Sequence, residues 1–221
     1  MDHPLDRPVW NALTSRQAQL ARGGARALRF DPDYGQFAAC ADPRDTDALL
    51  PLMAGGSVGV VEAGDTPFPP QLHAHHAICN QMIAAAIAPG APGFDVVPLG
   101  DDDADEMLAL ATLTKPGPFY RHTNRLGDFI GVRIDGRLAA MAGERMKPDG
   151  FTEVSGVCTH PDFRGRGFAG GLMRLVAAKI IARGETPFLH VYPDNAGAIA
   201  LYEALGFRFR ARLHYTVLSQ A

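Results

Sequence analysis

Val157-Cys158-Thr159-His160-Pro161-Asp162-Phe163-Arg164-Gly165-Arg166-Gly167-Phe168-Ala169 is the stretch that decides the fold. An apolar, strand-like run (Val154 to Thr159) leads through a His-Pro-Asp-Phe connector into two glycines alternating with two arginines. An apolar repeat follows at Phe168, Leu172, Leu175, Val176 and Ile180, which is the 3.6-residue period of a helix whose stripe faces a core. Glycines at a helix start leave backbone N–H groups bare, and the helix dipole favours negative charge there. Strand, glycine turn and helix in this order therefore predict a cradle for a phosphate group.

Reading outward, the second half alternates strands with helices. Phe94–Leu99 is a strand candidate, and Asp101–Asp103 open a helix through Met107, Leu108, Leu110 and Ala111. Phe129–Ile134 and Arg137–Arg145 flank Asp135-Gly136, a strong hairpin signal. Phe151–Thr159 and Phe188–Tyr192 read as further strands. Asn195–Leu205 reads as a helix stopped by Gly206, and Phe207–Leu218 closes the chain as a strand. This order predicts an α/β chain built on a mixed sheet. Pro89-Gly90-Ala91-Pro92-Gly93 marks a break, dividing the chain into residues 1–93 and 94–221. In the front part, Trp10–Ala21 and Gln71–Ala88 are expected as helices and Gly59–Glu62 as a short strand.

Bulk properties exclude several classes. A net charge of −3 argues against a nucleic-acid partner. Cys40, Cys79 and Cys158 are too few and too scattered for a disulfide framework. No apolar run reaches membrane-spanning length, and Met1–Trp10 lacks the apolar core of a secretory leader. A cytoplasmic protein, monomer or homodimer, with no membrane partner is expected.

Three quoted segments then resemble the GNAT superfamily of N-acetyltransferases. The first two are Val157–Phe163 and Arg164–Ala169, where Arg164, Gly167 and Ala169 meet the family's phosphate-loop pattern. The third is Asn195-Ala196-Gly197-Ala198-Ile199-Ala200-Leu201-Tyr202-Glu203-Ala204-Leu205-Gly206-Phe207, which meets every fixed position of the second motif. The resemblance covers residues 94–218. With its extra front half, the chain looks like the glycine-acyltransferase-related branch, where that half is a degenerate copy of the same fold. The resemblance implies acetyl-CoA as acyl donor, no metal, and a small-molecule or peptide amine as acceptor. Its diphosphate would rest on Arg164, Gly165, Arg166, Gly167, Phe168 and Ala169. Its pantetheine arm would lie along Val157, Cys158 and Thr159, beside Asn195 and Ala198. Gly156 would supply a bulge that opens the strand. Tyr202 would protonate the leaving thiolate, and Glu153 would act as base, with Glu144 as the second candidate.

Other patterns in the chain fit their motifs only in part. Gly165-x-Gly167-x-x-Gly170 fits a dinucleotide fingerprint and so an NAD-dependent oxidoreductase, but Thr159–Arg164 separate it from its strand. Gly55-Gly56-Ser57-Val58-Gly59 fits a nucleophile elbow but has its strand on the wrong side. His73, His75, His76 and Cys79 crowd one segment, and a polar helix turn is expected there rather than zinc. Cys158 is expected to be packed. Lys115, Arg121, His122 and Arg125 form a basic loop able to orient an acidic substrate. A catalytically idle CoA-binding regulatory module is the alternative of a different class.

Overall fold

The computed structural model describes residues 3–53 and 56–220. In chain order the front part forms helix α1 (Pro8–Leu13) and strands β1 (Ala21–Gly23), β2 (Ala27–Phe30), β3 (Ala38–Cys40), β4 (Val58–Glu62) and β5 (Leu72–Ile83). Next come β6 (Val97–Leu99), α2 (Ala104–Thr114), β7 (Phe129–Ile134), β8 (Arg137–Glu144) and β9 (Phe151–Thr159). Helix α3 (Phe168–Ala182), β10 (Thr186–Val191), α4 (Ala196–Leu205) and β11 (Arg208–Gln220) complete the chain. The element order expected for the second half is therefore present.

Local chemistry accounts for these elements. Asp135 (φ 50°) and Gly136 (φ 78°) are both left-handed, the backbone of a tight turn whose twist matches the β7–β8 hairpin. Helix α4 starts where the Asn195 side chain accepts a hydrogen bond from the Ala198 N–H at 3.2 Å, and it ends at left-handed Gly206 (φ 113°). Helix α3 turns Phe168, Leu172, Val176 and Ile180 inward, none more than 6% exposed. Each such side chain stabilises the fold by roughly 1.5–3 kcal/mol through apolar burial.

Eight strands form one mixed sheet in the order β4-β11-β5-β10-β9-β8-β7-β6. Only the β9–β10 pair is parallel. Helices α3 and α4 pack on one face through Leu172, Val176, Ile180 and Leu205. The other face is covered by α1, by α2 and by the small sheet β1-β2-β3. Residues before the Pro89–Gly93 break thus contribute β4 and β5 to the same sheet as the rest.

Two expected helices are corrected. Gln71–Ala88 is not a helix: Leu72–Ile83 is a strand hydrogen-bonded to β11 on one side and β10 on the other. Tertiary pairing overrides a weak local preference here, and the alanines after Ile83 form connecting coil. Of Trp10–Ala21, only the first residues are helical. Helix α1 begins earlier, with Pro8 at its first turn, and stops at Leu13, where the Thr14 hydroxyl donates back to the Trp10 carbonyl at 2.8 Å. The Gly59–Glu62 strand is present as β4. Gly55 of the elbow-like pattern lies outside the described residues, and a strand follows Ser57 rather than a helix.

Candidate active site

Strands β9 and β10 begin side by side and then part. Phe151, Thr152 and Glu153 pair with Thr186, Pro187 and Phe188. Beyond Phe188, β10 follows β5 instead, with Leu189, His190 and Val191 opposite Met82, Gln81 and Asn80. Strand β9 stays with β8, but its register slips between Ser155 and Cys158. Gly156 lies in that slip with φ 63°, so the expected bulge is present. A Cβ on Gly156 would sit 2.8 Å from Phe129 Cε1. Gly156→Ala is therefore expected to destabilise the protein by about 1–2 kcal/mol from the left-handed backbone alone, with more from the clash. Urea unfolding of the variant would measure it.

A cavity of roughly 330 Å³ occupies the gap. Val157 lines it from β9, His190 and Val191 from β10, and Asn195 and Tyr202 from the α4 end. The Lys115–Pro118 loop and Arg145 form another wall, and Phe37, Val61, Cys79 and Tyr215 close it from the remaining side. Three residues expected at the site, Val157, Asn195 and Tyr202, thus meet at one opening. Tyr202 is half-buried, and its hydroxyl has no hydrogen-bond partner among the described residues. Burial pushes its phenol up from the ordinary value. Asn195 spends its carbonyl oxygen on the Ala198 N–H, which leaves its NH2 group for a ligand.

The glycine turn lies at the start of α3. Gly165 and Gly167 are both left-handed (φ 77°), and a Cβ on either would meet nothing within 4 Å. Residues 164–167 are exposed, and Phe168 is buried beneath them. Arg166 and Arg137 stack on the Phe163 ring, with Cζ atoms 5.3 and 5.4 Å from its centroid. The first turn of a long helix therefore faces open space with cations beside it.

Several expected residues stand elsewhere. The Cys158 side chain is buried toward α2, and burial pushes its thiol to about 11, as a packing residue requires. Thr159 ends β9 and Ala198 packs against the α3 core.

Glu153 is a correction. Its carboxylate is 1% exposed and does not line the cavity. Arg145 donates to it twice, from Nε at 2.8 Å and Nη2 at 2.7 Å, and His190 donates from Nδ1 at 2.8 Å. Burial alone would raise its pKa, but the Arg145 charge and these hydrogen bonds hold it at about 2. A carboxylate so tightly held has too little proton affinity to serve as a base. Glu144 does not line the cavity either: it is 1% exposed and ion-paired with Lys147 Nζ and Arg183 Nη2, each at 2.8 Å.

His190 is fixed as well. The Gln81 NH2 group donates both to the Leu5 carbonyl and to His190 Nε2, each at 3.0 Å, while Gln81 Oε1 accepts from Arg210. That arrangement orients the amide and assigns the hydrogen of His190 to Nδ1. Both ring nitrogens are thereby occupied. His73, His75 and His76 are exposed on β5 while Cys79 is buried, and no group of three metal-ligating side chains comes together among the described residues. No helix there is long and apolar enough to cross a membrane.

Sequence reasoning missed the contributions of His190, Tyr215, Phe37 and Cys79 to the cavity. For His190 a signal existed, because alternation along β10 puts it on the same face as Phe188.

The FR47-like protein family matches residues 130–216, which span most of β7 to most of β11. A crystal structure described as an acetyltransferase from the GNAT family, from Novosphingobium aromaticivorans DSM 12444, is 48% identical with a TM-score of 0.91, over 100% of both chains. The chain belongs to the GNAT family. The parting of β9 from β10 and the bare turn before α3 are thus features of a GNAT fold rather than of a dinucleotide-binding one, whose sheet is parallel where this one is mostly antiparallel. A GCN5-related N-acetyltransferase from Kribbella flavida shares this fold at 18% identity, with a TM-score of 0.62 over 96% of this chain and 95% of that one. Among curated proteins, an acetyltransferase of Yersinia enterocolitica is 48% identical over 50 residues, 22% of this chain and 35% of the relative. The match thus spans about a third of that relative's length.

Proposed function

We propose that the protein transfers an acetyl group from acetyl-CoA to a primary amine by direct attack within a ternary complex. The observation that carries this reading is the cavity at the β9–β10 parting, bordered by an unpartnered Tyr202 hydroxyl, in a chain with a bare glycine turn at the start of α3. The diphosphate rests on the N–H groups of residues 166–169. The pantetheine arm lies along the unpaired edge of β9 at Val157–Thr159, as an added strand would. The Asn195 NH2 group donates to the arm. A β9 backbone N–H near Val157 faces the tetrahedral oxyanion. Tyr202 protonates the departing thiolate, a step its raised pKa makes uphill and the neutral thiol product makes feasible.

Among the described residues no carboxylate lines the cavity to take the amine proton. Burial pushes the Cys79 thiol to about 11 and the Tyr215 phenol to about 12, so neither is an effective base at neutral pH. The acceptor therefore reacts as its neutral fraction, losing its proton to water. The expected result is a kcat/KM that rises tenfold per pH unit up to the acceptor amine's own pKa, and shifts to lower pH with less basic amines. Thiol release from acetyl-CoA, followed across pH with two amines of different basicity, tests both the transfer and its proton path. A plateau at one pH for both amines would point to a base on the protein.

In this reading residues 1–93 act as a wall for a transferase part spanning residues 94–221. Phe37, Val61 and Cys79 border the acceptor side of the cavity, which supports that role.

A further inference from the structure

We infer that the protein pairs with a second copy of itself, strand to strand, along the free edge of β5 between Leu72 and Ile78. The pairing is independent of the transfer chemistry.

Strand β5 pairs with β11 over its whole length but with β10 only from Asn80 to Ile83, because β10 ends at Val191. Leu72–Ile78 therefore has one side with no strand against it among the described residues. The ladder fixes which backbone groups face that side. The Ala84 N–H donates to the Pro187 carbonyl at 3.1 Å, in the register that sets Ile83 opposite Phe188. Hydrogen-bonding groups alternate along an antiparallel strand, so Met82 and Asn80 also turn theirs toward β10. The one register shift of the β5–β11 pair lies between Phe209 and Ala211, so β5 keeps its alternation from Met82 back to Leu72. Ile78, His76 and Ala74 thus turn N–H and C=O to the uncovered side. Leu72 offers its carbonyl there, since its N–H already donates to the Pro69 carbonyl at 3.0 Å. Residues 73–76 are exposed, and Ile78 is 38% exposed.

Both outer edges of the eight-stranded sheet are guarded. At β4, the Gly59 and Ala63 N–H groups donate to the Gln36 and Asp6 carbonyls. At the other end, β6 is 3 residues long and contains Pro98. The β5 edge has no such device. Leu72–Ile78 reads Leu-His-Ala-His-His-Ala-Ile, without Pro, Gly, Lys, Arg, Asp or Glu. A second copy fits this edge. Two antiparallel copies related by a twofold axis overlap their free stretches fully when His75 faces the partner's His75. Ala74 then faces the partner's His76, and Leu72 faces the partner's Ile78. Each N–H of Ala74, His76 and Ile78 meets a carbonyl, exposed Ile78 gains an apolar neighbour, and no fixed charge is repeated across the axis. The overlap stops at Ile78, short of Asn80, where β10 takes over as the neighbour of β5.

Sedimentation velocity over a concentration series is expected to show a monomer–dimer equilibrium. Ala74→Pro removes an N–H that faces the partner and none that bonds β11. It is expected to weaken dimerisation by about tenfold or more while the urea midpoint stays close to that of the unaltered protein. Should proline disturb the strand, Ala74→Lys puts a charge on the same edge and is expected to weaken the dimer likewise. His75→Cys locates the axis. Facing residues that share no hydrogen bond stand about 4.5 Å apart at Cα, within disulfide reach, so mild oxidation is expected to cross-link this variant into dimers. His73→Cys, also exposed, faces the partner's Ala77 instead and is expected to stay uncross-linked. Native Cys40, Cys79 and Cys158 are buried and give little background. A monomer at every concentration would overturn the pairing and leave the edge to an extended peptide. A dimer untouched by both Ala74 variants, or equal cross-linking at residues 73 and 75, would overturn it as well.

Discussion

Tyr202→Phe is expected to lower kcat by about 10²-fold or more while leaving CoA affinity within about twofold, because general-acid assistance contributes on that scale. The substitution removes one hydroxyl with no protein partner among the described residues, so the fold loses no hydrogen bond there. The ring keeps its contact with Phe207, at a centroid distance of 6.3 Å. Stability should therefore be close to unchanged, and any loss of turnover is chemical. Thiol release with a saturating amine, together with CoA titration, separates the two effects. A further sign is available from the leaving group. If Tyr202 donates the proton, the defect should shrink for an acyl donor whose thiol is more acidic, since such a thiolate departs unaided. Unchanged turnover in the Phe variant would remove Tyr202 from the chemistry.

The largest expected stability effect lies one step behind the cavity. Glu153→Gln leaves Arg145 charged, buried and without its carboxylate, a change that costs about 3–5 kcal/mol in comparable buried pairs. Loss of the His190 anchor adds to it, because Nδ1 loses a charged acceptor. The same group fixes a pH dependence. The Glu153 carboxyl is held at about 2 in the folded chain against an ordinary value of 4.5. Between those values the unfolded chain binds the extra proton, so stability rises with pH there. The contribution is complete above 4.5 and is lost as pH falls through about 2. Glu185 is held at about 2 as well: burial opposes this, and the Thr152 hydroxyl, Arg16 and Arg183 overcome it. It deepens the same acid transition in both proteins. Urea unfolding of wild type and Glu153→Gln from pH 6 to pH 2.5 should show the two curves converging toward acid. Parallel curves would mean that the Arg145–Glu153 pair contributes no pH-dependent stability.

The glycine turn before α3 and the ends of α4 were legible because their signals are local. Glycines that permit left-handed backbone, an asparagine that caps α4, and Gly206 that stops it each act within a few residues of themselves. The Asp135-Gly136 hairpin is legible for the same reason. Strand β5 was not, because its conformation is imposed by β10 and β11, which lie more than a hundred residues away in sequence. Its short run of His, Ala and Cys favours no state on its own. Glu153 shows a second limit. Its position before the glycine turn singles it out, but its protonation state depends on Arg145 folding back across the β8–β9 connection and on His190 two strand positions beyond Phe188. The acceptor side was least legible. Phe37, Cys79, Arg145 and Tyr215 come from four separate segments of the chain, and no spacing relates them.

A crystal structure of the protein with bound coenzyme A tests the central claim most directly. The expected density places the diphosphate within hydrogen-bond distance of the backbone N–H groups of residues 166–169, with the thiol in the gap between β9 and β10 beside Tyr202. Density for the diphosphate away from the α3 N-terminus, or a pantetheine arm running outside that gap, would contradict it.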